Sequence, residues 1–139
     1  MADTRLLLTL EFPPDEETKR LAEDLVSKEI TRRLLFPSVV LTEFIKVAGP
    51  RIGKEASKVK IRLLKEKGIR VAALGEKEAL TAGEMLLSHQ STPFADALIA
   101  SFVKLGTADY VITDDPHFKV MGVRTKWIQL GESSIRPDS

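Results

Sequence analysis

The chain has 139 residues, 43% of them hydrophobic and 29% charged, with no cysteine. That length and balance fit one globular domain with a real core and exclude a disordered chain. Disulfides, thiolate catalysis and cysteine zinc sites are excluded together. The net charge of +1, from 21 basic and 20 acidic residues, argues against a protein that lives by phosphate contacts alone. No apolar run of about 18 residues is present, so no membrane span is expected. The N-terminus lacks the pattern of a secretory signal, and a soluble, cytoplasmic protein is the simplest expectation.

Residues Arg5 to Phe12 form a short apolar run whose periodicity does not choose between strand and helix, closed by Pro13-Pro14. Asp15 to Ile30 reads as an amphipathic helix with acids early and Leu21, Ala22, Leu25 and Val26 on one face. Leu34 to Phe36 is a candidate strand, and Ser38 caps a helix, Val39 to Ala48, that stops before Gly49-Pro50. Ile52 to Lys67 is a second amphipathic helix, with an apolar stripe of Ile52, Ala56, Val59 and Leu63, ended by Gly68. Lys54, Lys58, Arg62 and Lys65 line another of its faces. A phosphate backbone could track that basic row, although a solvated helix face looks the same.

A buried strand is expected over Ile69 to Leu74 and a helix over Lys77 to His89. Thr92-Pro93 opens the helix Pro93 to Leu105, which Gly106 ends. Tyr110 to Thr113 reads as a strand, Asp114-Asp115-Pro116 as a turn, and Arg124 to Ile128 as a last strand. Residues 1–130 thus form one domain, and 131–139, polar and without period, read as a flexible tail. Short strands alternating with longer helices imply crossover connections. The expected fold class is α/β: a three-layer α/β/α sandwich around a mostly parallel sheet of about four or five short strands. Sites in such folds form beyond the carboxyl ends of the strands.

Acids stand where solvated surface acids would not. Asp3 precedes the apolar run in ADTRLLL, Glu43 lies in the apolar helix SVVLTEFIKVA, and Asp96 lies in TPFADALIASFV. Asp114 and Asp115 follow the strand YVIT directly. Each alone has an ordinary reading: a terminal surface acid, a pair with Lys46, a helix-dipole acid, a plain turn. Together they weigh differently. Carboxylates gathered among apolar neighbours repel one another unless a divalent cation neutralises them. An all-oxygen site suits Mg2+ or Mn2+, which serve phosphodiester hydrolysis. His117, close to Asp115, could orient a water or a phosphate. His89 reads as a helix-end residue, and Tyr110 and Trp127 as packing residues.

The order ADT, LTEF, ADALIA, VITDDPHF resembles the PIN-domain family, most of all its VapC-type toxin ribonucleases, over nearly the whole chain. ADALIA is similar to the family's D-A-L-I-A helix and TDDPHF to its T-x-D-x-x-F turn. The resemblance implies an active site of Asp3, Glu43, Asp96 and Asp115 as metal ligands, with Asp114 as a neighbour that shares the role and Thr113 orienting water or a carboxylate. It implies a Mg2+- or Mn2+-dependent endoribonuclease, a homodimer, an RNA substrate and a small antitoxin partner. A housekeeping RNA-processing or DNA-directed nuclease, and a catalytically weak binding module, are the competing expectations. One departure stands out. The family has a full apolar strand before its first acid, whereas only Met1 and Ala2 precede Asp3. Either the strand begins unusually late, the coding start lies further upstream, or the chain is trimmed; alternatively, Arg5 to Phe12 serves as the strand with Glu11 near its end. The D-[ST]-x-x-L-L spacing of ADTRLLL favours Asp3.

Overall fold

A computed structural model describes residues 1–129; the tail expected over 131–139 lies outside them. The elements run α1 (Thr4–Glu11), α2 (Glu16–Ile30), β1 (Leu35–Pro37), α3 (Ser38–Ile52), α4 (Lys54–Glu66), β2 (Arg70–Ala72), α5 (Glu76–Ser88), α6 (Phe94–Lys104), β3 (Val111–Ile112), α7 (His117–Val120) and β4 (Thr125–Lys126). Strands β1 and β2 pair in parallel, as do β3 and β4.

The N-terminal residues join the two pairs. Ala2 donates its N–H to Leu35 O at 2.8 Å, and Ile112 donates to Met1 O at 2.8 Å. Ala2 and Ile112 form a parallel bridge. The order across the sheet is therefore β2, β1, the Met1–Asp3 segment, β3, β4, with both strand pairs and the Ala2–Ile112 bridge parallel. Backbone bonds on both sides hold Met1 and Ala2 in the central position, and both are buried. This is a three-layer α/β/α sandwich with a short parallel sheet. Parallel strands need crossover helices, which cover the sheet faces.

The apolar run after Asp3 is helix α1, not a strand. Asp3, extended at φ −98°, caps it by accepting from Arg5 N, and Leu6 and Leu7 enter the core. Glu11, at its far end, pairs with Lys60 at 3.2 Å and is thereby removed as an alternative first acid. The core joins Leu6 and Leu7 to Phe36 and Val40, to Phe44, and to Ile99, Phe102, Val111, Ile112 and Phe118, each 2% exposed or less.

Two helix boundaries depart from expectation. Helix α3 runs through Gly49-Pro50 to Ile52, because Pro50 falls in the last turn, where losing one backbone donor does not end a packed helix. Gly53, at φ +97°, then turns the chain directly into α4. The stripe read on α4 is also corrected: Ala56 is exposed, Val59 is 41% and Leu63 46% exposed, and Ile52 belongs to α3. Ser57, Ile61 and Leu64 face inward instead, at the i, i+4, i+7 spacing of a single face.

Candidate active site

The acids gather at the carboxyl ends of the central strands. Asp3 leaves the Met1–Asp3 segment, the first turn of α6 supplies Asp96, and the chain after β3 supplies Thr113, Asp115 and His117. Three of these side chains form a compact donor group. One oxygen each of Asp96 and Asp115 and a ring nitrogen of His117 all lie within 4.8 Å of one another. His117 Nδ1 stands 2.7 Å from Asp115 Oδ1 and 3.5 Å from Asp96 Oδ2. Asp115 Oδ1 also accepts from His117 N at 2.9 Å, which folds the turn back into α7.

Asp3 is tied to this group through Thr113. The Thr113 hydroxyl, 2% exposed, donates to Asp3 Oδ2 and accepts from Asp115 N at 3.0 Å. One buried hydroxyl thus fixes both the first acid and the backbone of the last. Glu43 approaches from α3 and accepts from the Thr4 hydroxyl, so it reaches the site beside Asp3. Asp114 does not join the group. It forms a two-pronged pair with Arg5, Nε to Oδ1 at 2.7 Å and Nη2 to Oδ2 at 3.1 Å, with both side chains substantially exposed.

Lys54, Lys58, Arg62 and Lys65 project from α4 into solvent. Among the described residues, none of them bonds to an acid of the group. A hollow of about 760 Å³ opens beside the site, lined by Thr113, Asp114 and Asp115 together with Lys28, Lys119 and Trp127. Its lysines, Lys28, Lys119 and Lys126, come from α2, α7 and β4, where the sequence shows no basic row. Glu29 is a second residue the sequence pattern does not single out. It is 4% exposed and accepts from Tyr110 Oη and Lys126 Nζ, both at 2.7 Å, tying α2 to the residue before β3 and to β4. Its only sequence signal is an acid set between Val26 and Ile30 on an apolar face.

Electrostatically, the group wants a cation. Burial, then repulsion from Asp115 and Asp3, raises the Asp96 pKa to about 7, with His117 opposing. Burial raises Asp3 to about 6 despite the hydrogen bonds from Thr113 and Arg5 N. Asp115 is burdened by burial, yet its bonds from His117 outweigh that and lower it. Asp96 Oδ2 is closed off from solvent and has no hydrogen-bond partner among the described residues. A buried lone-pair oxygen without a donor is what a hard cation would satisfy. The donor set fits a divalent ion.

The raised values set a pH dependence. A carboxyl whose folded pKa exceeds its unfolded value contributes stability that is complete below the unfolded pKa, near 3.8, and lost as pH rises through the folded one. The metal-free protein is therefore expected to lose thermal stability between about pH 4 and 7, by about 3–8 °C in midpoint. Saturating Mn2+ should remove most of that loss, because the ion binds the ionised carboxylates. Differential scanning calorimetry with EDTA or Mn2+ across this range checks both halves. A flat metal-free profile would mean the acids are not burdened as described.

The fold and the acid group define a parallel α/β domain with an acidic centre at its strand ends. The match to the family model of the PIN domain extends over residues 1–123, and the chain belongs to that family. The fold is shared with VapC20 of Mycobacterium tuberculosis, a toxin that cleaves the sarcin–ricin loop, at TM-score 0.69 and 19% identity over 88% of this chain and 94% of that one. It is shared also with VapBC2 of Rickettsia felis, bound to a DNA fragment from its promoter, at TM-score 0.71 and 18% identity over 93% and 98%. No curated protein matches the sequence.

Proposed function

We propose that the protein is a Mg2+- or Mn2+-dependent endoribonuclease, the toxin of a toxin–antitoxin pair, acting in the cytoplasm. The observation that carries the reading is the buried, unpartnered Asp96 oxygen facing Asp115 in a PIN domain. Asp96 and Asp115 would hold the ion, with Asp3 alongside and Glu43 behind it. A divalent ion there supplies a Lewis acid for the phosphoryl group and activates water for attack. Thr113 keeps the carboxylate of Asp3 turned inward and fixes the Asp115 backbone, so the acids are positioned before substrate arrives.

The substrate assignment rests on charge beside the site. Lys28 and Lys119 line the hollow next to Asp115 and suit a phosphate backbone better placed than the α4 row of Lys54, Lys58, Arg62 and Lys65. An antitoxin and a second copy of the chain are the proposed partners. Leu80 and Leu87 on α5, with Phe94 opening α6, are 63%, 74% and 71% exposed and offer apolar surface for either. The likeness to VapC20, a toxin, supports the first. No helix of the described residues is long and apolar enough to cross a membrane.

Incubating the purified protein with structured and single-stranded RNA, with Mn2+ and with EDTA, tests the reading. Endonucleolytic cleavage that appears with Mn2+ and stops with EDTA is expected. Metal-independent cleavage, or none with any RNA while DNA is cut, would overturn it.

A further inference from the structure

We infer that His117 is itself a ligand of the divalent cation, making the centre a mixed nitrogen–oxygen site that ranks Mn2+ above Mg2+. The inference rests on the metal-site reading above and goes beyond it, because the four-acid pattern contains oxygen donors alone. Its basis is geometric. An octahedral ion with donors at about 2.0–2.2 Å places adjacent donors about 3 Å apart. His117 Nδ1 lies 2.7 Å from Asp115 Oδ1 and 3.5 Å from Asp96 Oδ2, which brackets that spacing. The residue is anchored there through its backbone and its neighbour, while the ring itself is partly exposed. His117 N donates to Asp115 Oδ1, so residue and carboxylate share one turn, and α7 is anchored by the fully buried Phe118. The Asp96 oxygen nearest the ring is the buried one with no partner.

The chemistry follows from the donor. Without an ion, the Nδ1–Asp115 contact is made by a hydrogen on the ring nitrogen. Ligation requires the lone pair instead, so the ring takes the tautomer with hydrogen on Nε2 and the ion replaces the hydrogen between the two donors. Imidazole nitrogen suits first-row transition ions, whereas Mg2+ prefers oxygen throughout. A histidine in the group therefore sets metal preference rather than mere affinity.

The test is pulsed EPR on the Mn2+-loaded protein, with calorimetry of Mn2+ and Mg2+ on the wild type, His117→Asn and His117→Ala. Imidazole 14N modulation is expected in the wild type and absent from both variants. Mn2+ affinity should fall about tenfold or more in His117→Ala. In His117→Asn, whose amide oxygen reaches the place of Nδ1, Mg2+ binding should survive and the Mn2+ preference shrink. Mn2+ binding without 14N coupling, or binding that is unchanged or tighter in the variants, would overturn the inference while leaving the acidic metal site standing. Absence of Mn2+ binding by the wild type would remove both.

Discussion

Asp96→Asn is expected to abolish metal-dependent RNA cleavage while raising the thermal stability of the metal-free protein. The two effects share one cause. Asp96 is a mostly buried carboxyl in the first turn of α6, set beside Asp115 and Asp3, with its Oδ2 unpartnered. Such a charge costs folding energy and is retained for what it binds. The amide keeps the shape, removes the repulsion, and brings an N–H donor to a place beside Asp115. At pH 8 in EDTA the gain should be about 1–2 kcal/mol, or a midpoint rise of about 3–8 °C. Mn2+ affinity should drop by about 100-fold, and cleavage by about 100- to 1000-fold. A variant that is less stable yet still cuts would make Asp96 a structural acid.

The second large effect separates two roles of Asp3. Its Oδ1 caps α1 by accepting from Arg5 N, and its Oδ2 is held by Thr113 toward the acid group. Asp3→Asn preserves an oxygen for the cap and removes the charge, so metal-free stability should hold or rise above pH 6 while cleavage falls about 100-fold. Asp3→Ala loses the cap as well and should cost an additional 0.5–2 kcal/mol or so of stability, about the usual value for an N-cap. Asp114→Asn is the control. It removes only the exposed pair with Arg5, which is worth about 0–1 kcal/mol, and cleavage should stay within about threefold of wild type. Denaturant melts beside cleavage rates distinguish the three. Equal loss of stability in Asp3→Asn and Asp3→Ala would show that the charge itself, rather than the cap, holds α1.

The sequence made the alternation of helices and strands legible where a helix carries its own punctuation, as α2, α4 and α6 do, whereas α3 runs through Gly49-Pro50. Asp15 caps α2 through Thr18 N, Gly68 follows α4, and Gly106 follows α6 with φ +84°. The strands were legible in place but not in extent: Ile69 to Leu74 contracts to Arg70–Ala72, and Tyr110 to Thr113 to Val111–Ile112. Apolar character marks burial, whereas strand length depends on how far a partner runs alongside, which one sequence does not display. The status of Arg5 to Phe12 turned on the same point. Only the backbone bonds of Met1 and Ala2 to their neighbours show that the central position is already filled.

In the acid group, spacing and apolar context identified Asp3, Glu43, Asp96 and Asp115 as unusual acids, and the fold brings them toward one end of the sheet. What spacing could not resolve is direction. Asp114 and Asp115 are adjacent at a turn, and it is the Arg5 side chain that draws Asp114 outward while Thr113 and His117 hold Asp115 in. The short helix α7, four residues long, carries too few residues for a period to show, yet it is what aims His117. Lys28 and Lys119 likewise meet at the hollow only in three dimensions.

The central claim, that these acids converge to hold a divalent cation, is tested most directly by soaking crystals of the protein in Mn2+ and recording anomalous diffraction at the manganese edge. The predicted result is one dominant anomalous peak between the Asp96 and Asp115 carboxylates, next to His117 and within reach of Asp3. No peak there at millimolar Mn2+ near pH 7.5, with the carboxylates ordered as in the metal-free protein, would contradict the account.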